Sequence, residues 1–127
     1  MDMMEEKLEV NSRFFKINYI QLENAIVAFF FEDRVRMGTV AIAMPGTGEV
    51  AAGRSSVLIG GKYMMTTRAL AERLAGRTGK MALVSLFTEL DETQALRTYA
   101  KLLDKIPAAS QSQANSQRFN YSIGKNA

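Results

Sequence analysis

Residues 55–80 read SSVLIGGKYMMTTRALAERLAGRTGK and place a strand, a glycine turn and a helix in direct succession. The first five residues are β-branched, aliphatic or small, as suits a strand. Gly60 and Gly61 supply the backbone freedom with which a chain leaves a strand. Thr66 and Thr67 offer hydroxyls that can cap the helix that follows. We therefore predict a strand–turn–helix unit over this stretch.

The predicted helix has an apolar stripe and a basic side. Arg68, Arg73 and Arg77 fall on the basic side together with one acid, and Gly79 is the natural stop. Residues 54–80 carry six Lys/Arg and one acidic residue, a net charge of +5, whereas the whole chain carries +3. The positive charge is therefore concentrated in this unit. The apolar stripe recurs at helical spacing and consists of Leu70, Ala71, Leu74 and Ala75.

The composition excludes much catalytic chemistry. The chain has 127 residues, enough for one domain, and contains neither cysteine nor histidine. Disulfides, thiol nucleophiles and the commonest metal ligand and general base are thereby absent. Carboxylates such as Glu32 and Asp91 sit among turn or capping residues, where a structural role is expected. We expect no enzyme activity, no cofactor and no metal.

Sequence near the N-terminus points to an intracellular protein. MDMMEEKLEV is acidic and lacks the basic start and apolar run of a signal peptide, and no apolar run reaches the length that spans a bilayer. We expect a cytoplasmic protein, present in the nucleus as well if the source is eukaryotic, with no membrane contact.

The remaining chain predicts further strands and one more helix. Strand patterns begin at residue 13 and cover 25–31, 38–44 and 81–87, and the second and third of these four look like a hairpin. Asp91 and Gln94 form a capping-box pattern ahead of a helix that ends before Pro107. This order predicts an α+β domain with a mainly antiparallel sheet of five or six strands and two main helices on one face.

We divide the chain into a lead-in at 1–12, a short helix or a frayed segment, one domain at 13–107, and a flexible tail at 108–127 rich in Ser, Gln and Asn. Residues 25–31 and 81–87 are apolar at nearly every position, which is typical of strands covered on both faces. The two helices can cover one face, so the other is predicted to be a dimer interface. The alternative is that the first strand and the loops fold over it.

The sequence also has features that could indicate nucleotide binding or nucleic-acid binding instead of protein binding. Residues 48–55 match a phosphate-binding loop apart from Arg54 in place of lysine, but such a loop must open a helix, and Ser55 begins a strand-like run. The basic helix could face nucleic acid, yet it lacks the interleaved aromatic residues of RNA-binding sheets. An acidic protein surface is the favoured target, and we expect no nucleic acid partner.

Several motifs in this region are found together in one family. They are a strand ending in Leu-Ile-Gly, the pair Thr66 and Thr67, the pattern AxRLxxRT at 71–78, and the apolar strand that follows. The run MGTVAIAM at 37–44 looks like the hairpin strand ahead of them. Over residues 14–107 the chain resembles the fourth proteasome assembly chaperone family, and more loosely the third.

This resemblance implies a small α+β chaperone without catalytic activity. It would pair through its sheet with a related subunit, either a second copy or a different chain, and help the α-ring of the 20S proteasome to assemble. The alternative is a small α+β dimerising scaffold subunit of another intracellular complex. The sequence ends Gly-Lys-Asn-Ala rather than in the hydrophobic-Tyr-X pattern with which some proteasome-binding proteins dock.

The partner-binding residues implied are the glycine turn and the basic helix, where bulky KYMM at 62–65 replaces the polar residues of the family. Arg73 has two open roles, since it can contact a proteasome α subunit or brace the helix against the sheet. The predicted set is Gly60, Gly61, Thr66, Thr67, Arg68, Arg73 and Arg77.

Overall fold

The computed structural model describes residues 2–46 and 54–108. Within them six strands form a single sheet and two helices pack on it, which confirms the α+β prediction. Neither helix combines the length and apolar character needed to cross a bilayer. In chain order the elements are β1 (Met4–Val10), β2 (Arg13–Gln21), β3 (Ala25–Glu32), β4 (Thr39–Met44), β5 (Arg54–Ile59), α1 (Met64–Thr78), β6 (Met81–Leu86) and α2 (Glu92–Leu103).

The sheet order is β1-β2-β3-β6-β4-β5, so β6 is inserted between β3 and β4. It runs parallel to β3 and antiparallel to β4, with Leu83 opposite both Val27 and Ile42. The predicted hairpin of β3 and β4 is therefore wrong. The physical reason is that strand order depends on pairing between distant segments: between β3 and β4 the apolar strand β6 has a hydrogen-bonded neighbour on each edge.

The N-terminal segment is a strand and not the predicted short helix or frayed lead-in. β1 pairs antiparallel with β2 from Met4 opposite Tyr19 to Val10 opposite Arg13. The two-residue turn between them, Asn11 and Ser12, has φ of 50° and 66°. Turns with both residues in the left-handed region match the twist of paired strands, and asparagine tolerates this region better than most residues.

The core lies between the sheet and the two helices. Tyr99 of α2 is fully buried there, and its ring meets Phe15 and Phe30 edge-on at centroid distances of 5.8 Å and 5.6 Å. Such edge-to-face pairs add to the stabilisation from burial alone. The predicted stripe of α1 is entirely buried, which places Leu70, Ala71, Leu74 and Ala75 in this core.

Three of the four helix ends lie where the neighbouring residues predict them. Gly79 ends α1 with φ 68°, and its N–H donates to the Ala75 carbonyl, as predicted. Asp91 caps α2 by accepting from the Gln94 N–H at 2.8 Å, also as predicted. α2 ends at Leu103, before Pro107 as predicted, and the Ile106 N–H then donates to the Leu103 carbonyl.

Two predicted features fall wholly or partly outside the described residues. Of the phosphate-loop pattern at 48–55, only Arg54 and Ser55 are among the described residues. Both belong to β5 rather than to the start of a helix. That placement agrees with rejecting a phosphate loop. The predicted tail at 108–127 lies outside the described residues except for Ala108.

Gly38 packs directly against the backbone of β6. A Cβ there would lie 2.0 Å from the carbonyl oxygen of Leu86, a backbone atom of the inserted strand β6. We expect Gly38→Ala to lower the free energy of unfolding by about 1–3 kcal/mol, the usual cost of overpacking. Urea denaturation measures this change.

Gly76→Ala is the matched control, because a Cβ at this position of α1 meets no atom within 4 Å. In a helix this change should stabilise by about 0.5–1 kcal/mol. If Gly38→Ala stabilises the chain as Gly76→Ala does, the close approach of Gly38 to β6 is refuted.

Candidate functional site

One face of the sheet is covered by α1 and α2, and no described helix or strand covers the other. The register places Val27, Leu83 and Ile42 in one row across β3, β6 and β4 on this second face. Phe29 of β3 and Val40 of β4 lie on either side of Ser85 in the next row. We name the open face by its five central apolar residues: Val27, Phe29, Val40, Ile42 and Leu83.

The open face is mixed towards β5, where Ser56 lies opposite Ile42, and becomes charged towards β1. Ile59 lies opposite Val40 and is 66% exposed, and Met44, at the end of β4, is 51% exposed. On the other side, the register puts Glu5, Lys7 and Glu9 of β1 on this face. An apolar centre with a charged margin is the usual anatomy of a protein interface.

The predicted alternative, coverage by the first strand and the loops, receives little support from the described residues. The predicted first strand, which is β2, pairs with β1 and β3 within the sheet, so it does not cross the open face. The β3–β4 connection reaches only one end, where the Arg36 guanidinium lies 5.1 Å from the centre of the Phe87 ring.

Thr66 and Thr67 do not cap α1, so that prediction is wrong. The helix begins two residues earlier, and Tyr63 occupies the N-cap position with φ 60° and no side-chain cap. Thr67 is buried, and its hydroxyl donates to the Tyr63 carbonyl at 2.6 Å. The Thr66 hydroxyl donates to the Glu92 carbonyl at 3.3 Å. Both threonines thus hold the start of α1 inside the protein.

The two turn glycines differ in their surroundings. Gly60 has φ 119°, and a Cβ there would lie 2.6 Å from the Thr39 hydroxyl, so both its conformation and its contact with β4 require glycine. Gly61 is exposed and faces open space. The fold therefore requires glycine at position 60. Position 61 is not constrained in this way and is accessible to a partner.

The structure divides the three predicted arginines between the two sides of α1. Arg68 lies beside β5, where its Nε donates to the Ser55 hydroxyl at 3.1 Å. Arg73 and Arg77 lie together at the end of α2. Arg73 forms an ion pair with Asp104 at 2.7 Å, and Arg77 donates to the main-chain carbonyls of Asp104 and Ile106. Arg73 therefore braces α1 against α2 rather than against the sheet.

Sequence reasoning missed the polar cluster around Glu32. This carboxylate accepts hydrogen bonds from the Arg13 guanidinium, the Thr88 hydroxyl at 2.7 Å and the Glu89 N–H at 2.8 Å. Its side chain is only 15% exposed, although turn carboxylates are normally solvated. The sequence feature that could have pointed to this cluster is the position of Glu32 as the last residue of a long apolar strand.

The electrostatics of this cluster favour the ionised carboxylate. Burial alone would raise the pKa of Glu32, but the hydrogen bonds from Glu89, Thr88 and Arg13 outweigh burial and lower it. The cluster joins β2, β3 and the connection from β6 to α2, so it is structural. Among the described residues, no group of three acidic side chains could hold a metal ion.

The fold has a counterpart among solved structures. No family model matches the sequence, and no curated protein matches it. A crystal structure of a chaperone complex for yeast 20S proteasome assembly contains a chain that matches with a TM-score of 0.60. The match covers 83% of this chain and 98% of that chain. This protein has the fold of a proteasome assembly chaperone. At 11% sequence identity the likeness shows the fold alone.

Glu32 makes stability depend on pH. Its folded-state pKa lies below the ordinary value of 4.5, so its contribution is complete above that pH and is lost as the pH falls through the folded-state pKa. We expect Glu32→Gln to lower the free energy of unfolding at pH 7 by about 1–3 kcal/mol. The deficit should shrink on acidification, as measured by urea denaturation across pH.

Asp104→Asn is the control, because it removes an ion pair whose side chains are 51% and 44% exposed. Exposed pairs contribute about 0–1 kcal/mol. Equal effects of the two substitutions at pH 7, or a Glu32→Gln deficit that does not change with pH, would contradict the role of the Glu32 cluster.

Proposed function

We propose that this chain is a non-catalytic chaperone subunit that promotes assembly of the 20S proteasome α-ring. The observation that carries the proposal is the fold shared with a chain of a yeast 20S proteasome assembly chaperone complex over most of both lengths. The sequence resemblance to the fourth proteasome assembly chaperone family over residues 14–107 supports the same function.

Pairing with a related subunit, either a second copy or a different chain, would use the open face. Four of its five central side chains are partly exposed in the single chain and Val40 is buried, and fully burying one large aliphatic or aromatic side chain contributes about 1.5–3 kcal/mol. Burying several such residues in adjacent rows would favour association. The charged residues of β1 would form the rim and help to select the partner.

The contact with a proteasome α subunit would lie at the start of α1. Arg68 and Met65 are exposed there, beside the accessible Gly61, whereas Arg73 and Arg77 are engaged at the end of α2. Arg68 is therefore the arginine best placed to meet an acidic surface. This role requires no cofactor and no nucleic acid, and we place the protein in the cytoplasm, and also in the nucleus of a eukaryote.

The second candidate is a dimerising scaffold subunit of another intracellular complex. The open face favours it equally, because an apolar sheet face promotes pairing whatever the complex does. The two candidates differ in what accompanies the chain: only the chaperone should bring proteasome α subunits with it when it is purified from its source cells.

Replacing Phe29 tests the pairing surface. Phe29→Glu places a charge at the centre of the open face, so we expect loss of the related subunit from the purified complex. Affinity purification and mass spectrometry measure this loss. Leu96→Glu, which adds the same charge on the exposed side of α2, should retain the partner. Retention by both variants, or absence of α subunits from the wild-type complex, counts against the proposal.

Charge reversal at Arg68 tests the client contact. Arg68→Glu should weaken capture of the α subunit severalfold and make it less dependent on salt, since an exposed arginine on a rim acts through charge. Arg34→Glu changes the same charge in the exposed β3–β4 connection and is the control. Capture by Arg68→Glu that equals capture by the control would remove α1 as the contact surface.

A further inference from the structure

A cleft separates the tip of the β1–β2 hairpin from α2. It lies on the helix side of the sheet, so it is distinct from the open face. Its volume is about 320 Å³, within the range of sites that hold small ligands or a few residues of a peptide. Its apolar lining comes from Leu8, Val10, Phe15 and Leu90.

The polar wall of the cleft is one stripe of α2. Gln94, Arg97, Thr98 and Lys101 line it, and their spacing of three, four and seven residues puts them on one side of the helix. The facing wall is the hairpin tip, where Arg13 completes the lining. Asn11, in the tight turn that follows Val10, also lines the cleft.

The charge of the lining has one sign. Three lining residues are cationic, and none is acidic. Arg13 is paired with Glu32, but among the described residues no carboxylate lies within 4 Å of Arg97 or Lys101. These two are one helical turn apart and repel each other. An anion between them would remove this repulsion.

The apolar lining indicates that the anion also carries apolar groups. Val10 is 40% exposed beside the cations, so a ligand that carries only charge leaves this surface in water. Nucleic acid is disfavoured, because the one aromatic ring of the lining, Phe15, is buried and offers no face for stacking. A peptide that combines carboxylates with aliphatic side chains complements both parts of the cleft.

We propose that this cleft binds an acidic, aliphatic peptide segment of a partner protein. A carboxylate of the segment lies between Arg97 and Lys101, and a neighbouring aliphatic side chain covers Leu8 and Val10. Gln94 and Thr98 donate or accept hydrogen bonds along the peptide backbone. The proposal is independent of the proteasome assignment, because neither the open face nor Arg68 takes part.

The test uses the full chain and a fluorescein-labelled peptide, Gly-Glu-Leu-Glu-Leu-Glu-Gly, in an anisotropy titration at low salt. We expect saturable binding that weakens as salt rises, and no binding of the same peptide with glutamine in place of glutamate. The double variant Arg97→Glu/Lys101→Glu should bind at least about tenfold more weakly. Both residues are exposed, so thermal unfolding should be unchanged.

The matched control is Arg34→Glu/Arg36→Glu, which changes the net charge equally at two exposed positions of the β3–β4 connection, outside the cleft. It should keep the affinity within about twofold of the wild-type chain. Three results would overturn the proposal: no binding of the labelled peptide up to millimolar concentrations of the chain, equal binding of the glutamine peptide, or equal loss in the two double variants. The last result would mean that net charge alone attracts the peptide.

Discussion

The insertion of β6 between β3 and β4 is the constraint on which the rest of the structure depends. It places the two most apolar strands side by side at the centre of the sheet, with Val27 beside Leu83 and Ala28 beside Val84. One face of this pair is buried under both helices. The same insertion creates a second apolar face, whose charged margin lies on β1, so the fold that makes the core also makes the candidate interface.

The charged residues of α1 serve two purposes that the sequence does not separate. Arg73 and Arg77 hold the end of α2, where carbonyls and a carboxylate need donors, while Arg68 stays exposed beside β5. A basic helix face is commonly interpreted as one binding surface. Here, part of the positive charge stabilises the packing of two helices, and only the remainder is available to a partner.

Local sequence signals predicted those features that depend on neighbouring residues. The apolar runs at 25–31 and 81–87 became central strands, Gly79 ended α1, and Asp91 capped α2. The β3–β4 hairpin failed because strand order depends on pairings between distant segments. The predicted caps at Thr66 and Thr67 are wrong because Tyr63 is the N-cap residue. It takes a left-handed conformation, which is uncommon for residues other than glycine. The Glu32 cluster depends on partners up to 57 residues away, which no local pattern reveals.

The chain contains no cysteine, so one introduced thiol reports on the open face directly. We would measure the alkylation rate of Ile42→Cys in the monomeric chain and in the complex purified with proteasome α subunits, using Glu23→Cys in the exposed β2–β3 turn as the reference. We expect the thiol at position 42 to react much more slowly in the complex while the reference changes little. An unchanged rate at position 42 in a complex that contains α subunits would contradict pairing through the open face.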